Sequence, residues 1–249
     1  MPEILILGGT SEASALAEAV AKAGMAATLS YAGRVALPRD QPVPVRVGGF
    51  GGVEGLASYL AAKRITHLVD ATHPFAARIS RNAIAAAALA AIPYIALQRP
   101  AWQAGPGDNW THLPDIEAAI LALDRPKQRI FLAIGRQHIA GFARYPQHHY
   151  LLRLVDRPDQ TLPLPGATVV IGRGPFELEG DTALLREHAI ERVIAKNSGG
   201  SGAEAKLLAA RQLGIAVILI DRPAIPDRPE VATIREVMAW LGHRALRGV

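Results

Sequence analysis

The sequence predicts an α/β protein made of two Rossmann-like domains, each a mostly parallel sheet flanked by helices. Short apolar runs alternate with helix-like stretches almost from end to end, the sequence form of successive βαβ units. Glycine-rich loops follow several of those runs, at the carboxyl ends where open parallel sheets hold ligands. Half of the 249 residues are apolar and only 5% are aromatic, so the cores are expected to be aliphatic.

The first strand is expected at Glu3–Leu7. Ser11–Lys22 follows as a helix, with Ala13, Leu16, Ala17, Val20 and Ala21 on one face, and Gly24 stands where a helix-ending glycine belongs. Strands are expected at 28–31, 43–47 and 66–70, helices at 53–62 and 76–91, and a fifth strand at Tyr94–Leu97. Arg99-Pro100 and the stretch through Trp110, with Gly105, Pro106 and Gly107, have the composition of a crossing between halves. Domains are therefore expected at 1–105 and 106–249. The second half alternates less regularly. Its strands are expected at 129–134, 150–155, Thr168–Ile171, 192–195 and 217–220, its helices at 116–123, 176–188, 203–213 and 234–241, and a proline-rich loop at 157–165.

Composition narrows the chemistry. The chain has no cysteine, which removes disulfides, thiolate metal sites and cysteine nucleophiles and suits a reducing cytoplasm. No metal site is expected. No basic segment leads into a long apolar run at the N-terminus, and no run approaches the roughly 18–20 apolar residues of a membrane helix. A cytoplasmic protein with no membrane role is the expectation. Lys and Arg total 27 against 22 Asp and Glu, a net charge of +5. These cations are scattered and lack the aromatic-and-basic module of a nucleic-acid reader. Guanidinium forks suit the carboxylates or phosphates of a small polyanion instead. Oligomeric state is left open, a monomer included.

The loops after the strands carry the functional signal. Gly8-Gly9-Thr10-Ser11-Glu12-Ala13 follows the first strand. Glycine permits a tight turn there, and amides at the next helix start point at an anion such as a pyrophosphate. In the G-x-G-x-x-G frame Thr10 takes the middle position and Ala13 the third. The second strand ends in Ser30-Tyr31-Ala32-Gly33-Arg34, with no acid for the ribose hydroxyls of NAD. Arg34 suits a 2′-phosphate, and otherwise is a solvated loop residue. After the third strand, Gly48-Gly49-Phe50-Gly51-Gly52 carries a chain-entropy cost that close approach to a ligand, at Gly49 above all, would explain.

The fourth strand leads into Asp70-Ala71-Thr72-His73-Pro74-Phe75-Ala76. Asp70 or Thr72 is placed to cap the next helix and Pro74 to occupy its first turn. His73 faces either a ligand or its own loop. In the second half, Gly172-Arg173-Gly174-Pro175-Phe176 and Lys196-Asn197-Ser198-Gly199-Gly200-Ser201-Gly202 repeat the sequence of strand, glycine loop and helix. The latter offers a cation, an amide and hydroxyls to oxygen-rich groups. Lys206, inside the next helix, is expected to serve structure or solvent.

Taken in order, these loops resemble the precorrin-6A reductases of cobalamin (vitamin B12) biosynthesis. Arg99-Pro100 with Trp102, Gly174-Pro175-Phe176, Lys206 and the tail Ile220-Asp221-Arg222-Pro223 share in that likeness. The resemblance implies a two-domain fold that binds NADPH and reduces one double bond of the precorrin-6A macrocycle to give precorrin-6B. Loop position then assigns Gly8, Gly9, Thr10, Ser11, Glu12, Arg34, Gly49, Thr72, His73 and Ser198 to the cofactor. Arg99, Arg136, Arg173, Lys196, Asn197, Gly199 and Gly200 are assigned to the carboxylate-rimmed substrate. His73 is the candidate proton donor, with bound water as its rival. Two other readings share the scaffold, a non-catalytic NADPH-sensing module and a reductase or epimerase for another substrate. A hydrolase is disfavoured because no Gly-x-Ser-x-Gly elbow occurs.

Overall fold

In chain order the elements are β1 (Glu3–Leu7), α1 (Ser11–Lys22), β2 (Ala26–Tyr31), β3 (Val45–Val47), α2 (Gly52–Ala62), β4 (His67–Asp70), α3 (Ala77–Leu89) and β5 (Tyr94–Leu97). There follow β6 (Trp110–Leu113), α4 (Ile116–Leu121), β7 (Arg129–Ala133), β8 (His149–Leu154), β9 (Thr168–Ile171), α5 (Leu178–Glu187) and β10 (Arg192–Lys196). The chain ends with α6 (Ala205–Leu213), β11 (Ala216–Ile220), β12 (Glu230–Val231) and α7 (Ile234–Ala245), and 3-10 helices span Arg136–Arg144 and Ser201–Ala203. This computed structural model describes residues 2–32, 40–158, 161–164 and 166–245.

The chain divides into two units, Met1–Arg99 with Ala224–Val249, and Pro100–Pro223. Each holds a six-stranded sheet, ordered β3-β2-β1-β4-β5-β12 in the first unit and β9-β8-β7-β10-β11-β6 in the second. Every strand pair is parallel. In the first unit Ile4, Ile6 and Val69 pack in one core with side chains of α1 and α7, while Leu5, Leu7 and Leu68 pack in another with those of α2 and α3. Burial on both faces is why the central strands are unbroken apolar runs. The strand order reverses between β1 and β4 and again between β7 and β10. Ligands of doubly wound sheets bind outside the carboxyl ends at such a switch point.

The expected domains, 1–105 and 106–249, are corrected by this division. The first unit's sheet is completed by β12, which pairs with β5, after the chain has built the second unit. Arg81 of α3 donates to the Ala224 carbonyl at 2.6 Å, where the chain re-enters. Helix α7 then buries Val237 and Leu241 fully in the α1 core, and each such side chain contributes about 1.5–3 kcal/mol. The tail thus folds with the first unit. The expected crossing between halves also contains β6, an edge strand of the second sheet. Its Trp-Thr-His-Leu sequence is at most half-buried, so it lacks the apolar run that marks an inner strand. No helix among the described residues is long and apolar enough to cross a membrane.

Candidate functional site

Thr10, in extended conformation, caps α1. Its hydroxyl accepts the Ala13 amide at 3.1 Å and donates to the Ala71 carbonyl at 2.8 Å. The residue in the middle glycine's place therefore ties the loop after β1 to the loop after β4, on either side of the switch point. Gly8 is held close: a Cβ there would lie 2.7 Å from Leu29 Cδ1 and 3.5 Å from Ala13 Cβ. Ala13 supplies the tight helix–strand packing that the third glycine of the frame provides elsewhere.

Glu12, in the first turn of α1, receives Arg99 Nη1 at 2.9 and 2.8 Å from its two oxygens. Burial raises the Glu12 pKa, but the Arg99 bond, a backbone hydrogen bond, the Arg99 charge and the Ser11 hydroxyl together outweigh it and hold the carboxyl below its usual value. Arg99, expected among substrate ligands, is thus given an internal anion, and the Glu12 carboxylate is directed at Arg99.

The loop after β4 is organised by Asp70, which is fully buried. Its Oδ1 accepts the Thr72 amide at 3.0 Å and the Thr72 hydroxyl at 2.6 Å, and its Oδ2 accepts the Tyr94 hydroxyl at 3.1 Å. Burial and the Asp70 charge push the Tyr94 hydroxyl above its ordinary range, so it remains a donor. Arg228, from the returning segment, lies 3.7 Å from Asp70 Oδ2 and also pairs with Glu230. The expected capping role of Asp70 or Thr72 is corrected. Helix α3 starts only after Ala76, with no side-chain cap, because Asp70 spends its bonds on the turn ahead of it. His73 is half-buried, and its Nδ1 accepts the Phe75 amide at 3.2 Å. A neutral ring so held carries its proton on Nε2.

After β3, Arg46 reaches the carbonyls of Gly48 at 2.5 Å and Gly49 at 2.8 Å, with its guanidinium 3.8 Å over the Phe50 ring. Gly49 itself is exposed. Arg34 lies outside the described residues. A Tyr-x-x-x-Lys spacing, the pair that a short-chain dehydrogenase would need, occurs at Tyr59 and Lys63 on α2. Tyr59 packs edge-on against Phe50, and Lys63 is the exposed C-cap at the far end of that helix. That spacing makes no catalytic pair.

The implied nicotinamide dinucleotide fits what this unit leaves open. Gln98, directly after β5, is 5% exposed, and neither its Nε2 nor its Oε1 has a hydrogen-bond partner among the described residues. A buried unsatisfied amide costs about 1–3 kcal/mol and calls for a partner from outside the chain. It stands at the same sheet edge as the α1 N-terminus, where amides face an anion.

In the second unit, two glycines share one unusual conformation. Gly135, before the 3-10 helix that follows β7, has φ 79° and ψ 161°, and Gly200, before the one that follows β10, has φ 75° and ψ 161°. That region is almost closed to other residues, and such backbones cluster at ligand clamps. They flank the second switch point. Arg136 is exposed directly after Gly135, and Lys196 is half-buried at the end of β10. Arg173 is half-exposed after β9, 3.5 Å from Asp156. The Phe176 amide donates to the Gly202 carbonyl at 3.4 Å, joining the β9 and β10 loops.

Asn197, expected at the substrate, has its side chain closed on Trp102. Its Oδ1 accepts the Trp102 amide at 2.8 Å and its Nδ2 donates to the Trp102 carbonyl at 3.1 Å. The Trp102 indole N–H donates to the Gly200 carbonyl at 3.0 Å, and Arg222 donates to the carbonyls of Asn197 and Ser198 at 3.0 and 3.2 Å. Ser198, expected with the cofactor, is buried in this unit. Lys206 is buried, 4.8 Å over the Trp102 ring and bonded to the Ala203 carbonyl, the structural role expected of it. Sequence reading missed Asp70 as an organiser, Tyr94, Gln98, Arg46 and Arg228. Of these only Asp70 stood in a motif.

Comparison with known proteins identifies the family. The family model described as Precorrin-6x reductase CbiJ/CobK matches residues 3–242. A Rhodobacter capsulatus protein named Precorrin-6A reductase is 56% identical over 251 residues, covering all of both chains. A Priestia megaterium protein named Cobalt-precorrin-6A reductase is 34% identical, over 94% of this chain and 96% of its own. A solved structure titled CobK precorrin-6A reductase superposes with a TM-score of 0.94 at 56% identity, covering 98% of this chain and 97% of that one. The chain belongs to the precorrin-6x reductase CbiJ/CobK family, oxidoreductases of cobalamin biosynthesis that act on a CH–CH bond with a reduced nicotinamide cofactor.

Proposed function

We propose that this chain reduces one carbon–carbon double bond of precorrin-6A to give precorrin-6B in the cytoplasm, with NADPH as its reductant. The observation that carries the reading is the Thr10 hydroxyl bridging the β1 and β4 loops at a parallel-sheet switch point. The metal-free substrate is favoured because the 56% identical relative is named for precorrin-6A and the 34% identical one for its cobalt form. NADPH is favoured over NADH by the absence of an acid in Ser30-Tyr31-Ala32-Gly33-Arg34 and by the arginine that ends it.

The nicotinamide, when bound, supplies a hydride; the protein contributes binding, orientation and charge. Backbone at Gly8, Gly9 and the Ser11–Glu12 start of α1 holds the pyrophosphate, as helix N-termini do. Thr72, fixed by Asp70, and His73 border the reacting end. His73 Nε2 holds a proton for the double-bond carbon that does not take the hydride. Arg136, Arg173 and Lys196 pair with the acetate and propionate carboxylates of the macrocycle, and Gly199 and Gly200 offer backbone at close range. Asn197 serves the same loop by fastening it to Trp102.

The test is anaerobic mixing of the protein, NADPH and precorrin-6A while the absorbance of both is followed. Loss of the NADPH band only when the macrocycle is present is the expected result; no loss overturns the reading. Arg34→Ala should weaken NADPH by about tenfold or more, as loss of a charged phosphate contact does, and leave NADH nearly unchanged. Equal losses would refute the 2′-phosphate role.

A further inference from the structure

We propose that Asp70 and Arg228 are a positioning pair that sets the Thr72–His73 turn for the cofactor. The proposal rests on the reading above, that this turn borders the reacting end of the nicotinamide. Asp70 is fully buried and the Arg228 side chain is 7% exposed, so both charges have left water, which is costly without compensation. Their mutual geometry is loose. Arg228 Nη1 stands 3.7 Å from Asp70 Oδ2, past hydrogen-bond reach, and has no hydrogen-bond partner among the described residues. A pair shaped for its own strength closes to a bidentate contact below 3 Å, and a buried pair short of that adds little stability.

The short bonds of Asp70 go elsewhere. Oδ1 holds the Thr72 amide at 3.0 Å and hydroxyl at 2.6 Å, and Oδ2 holds Tyr94. Two bonds from one oxygen to a single residue fix the backbone that delivers His73, whose ring is in turn locked by the Phe75 amide. Arg228 balances the charge from a distance, leaving the carboxylate free to direct its hydrogen bonds at the turn. Because Arg228 precedes β12, the turn receives its counter-charge only when the last strand docks beside β5.

The experiment uses the full chain with the double substitution Asp70→Leu and Arg228→Met, each single substitution, and Arg228→Lys. Melting temperature, the dissociation constant of NADPH by its fluorescence, and the 15N shifts of the His73 ring without cofactor are measured. Arg228→Met should melt far below the wild type, since it strands the buried Asp70 charge. Asp70→Leu should melt lower through its lost bonds to Thr72 and Tyr94, while Arg228 keeps Glu230. The double variant should recover much of the Arg228→Met loss. Positioning predicts that the double variant still binds NADPH about tenfold more weakly, the worth of one strong lost bond, and that the His73 ring signals move. Arg228→Lys should keep wild-type affinity within a few-fold.

A double variant that regains both stability and NADPH affinity, with His73 signals unmoved, reduces the pair to a structural one and overturns the proposal. If the double variant fails to fold, Thr72→Val decides the matter by removing one Asp70 bond to the turn: unchanged NADPH affinity with unmoved His73 signals overturns it. A wild-type protein that does not bind NADPH refutes the functional reading instead, while the His73 shifts still judge the positioning.

Discussion

A Cβ on Gly199 would lie 2.0 Å from the Pro100 carbonyl oxygen, in a residue whose φ is +68°. The segment that opens the second unit therefore presses its backbone against the β10 loop at a residue without a side chain. Arg222 Nη2 stands 2.7 Å from the same point, so the loop is gripped from two sides.

Gly199→Ala should for this reason displace the loop or Pro100. The left-handed backbone alone costs about 1–3 kcal/mol, and the clash adds to it. A fall in melting temperature with about a tenfold rise in KM for the macrocycle is expected. NADPH affinity, which the proposed function assigns to the first unit, should stay unchanged. Equal loss of both would show that the loop serves the cofactor.

Thr10→Val keeps the shape of the side chain but removes the cap of α1 and the bond to Ala71. Loss of the cap costs about 1 kcal/mol and the second bond about 1 more. The variant should melt several degrees lower and bind NADPH about tenfold more weakly, read by thermal denaturation and fluorescence titration. Thr10→Ser retains the hydroxyl and should restore both.

Asn197→Leu leaves the buried amide and carbonyl of Trp102 without partners. The expected loss is about 2–4 kcal/mol of stability, measurable by urea denaturation. A variant as stable as the wild type would show that the side chain is not what fastens the loop.

Acid should act through Glu12. Arg99 holds its folded-state pKa below the ordinary 4.5, so the pair's contribution is fully present above the unfolded value and is lost as pH falls through the folded one. Denaturation curves from neutrality down to about pH 3 should therefore fall less steeply for Glu12→Gln than for the wild type below about 4.5. Parallel curves would remove Glu12 from the acid response.

Most helices and strands were legible because their signals are contiguous. Ser11–Lys22 carries its apolar stripe in one stretch, with a glycine turn just before it and Gly24 just after it. Strand β6 was not, since an edge strand needs no apolar run, and β12 has only two residues. Among site residues, Gly8 to Ala13 and the turn from Asp70 to Ala76 announced themselves by composition. What each side chain does there was less visible. Thr10 looked like an imperfect glycine and also bridges to Ala71; Arg99 bonds Glu12 and Asn197 bonds Trp102, contacts that no neighbouring residue foretold.

By itself the sequence determined the alternation of strand and helix, the glycine turns at the strand ends and the family they belong to, because each of these is written in neighbouring residues. Only the tertiary structure decided the strand order, the return of the tail to the first sheet and the approach of Arg228 to Asp70. Those depend on which parallel strands lie side by side and in what register, and residues far apart in the chain carry no local mark of the partner that packing will give them.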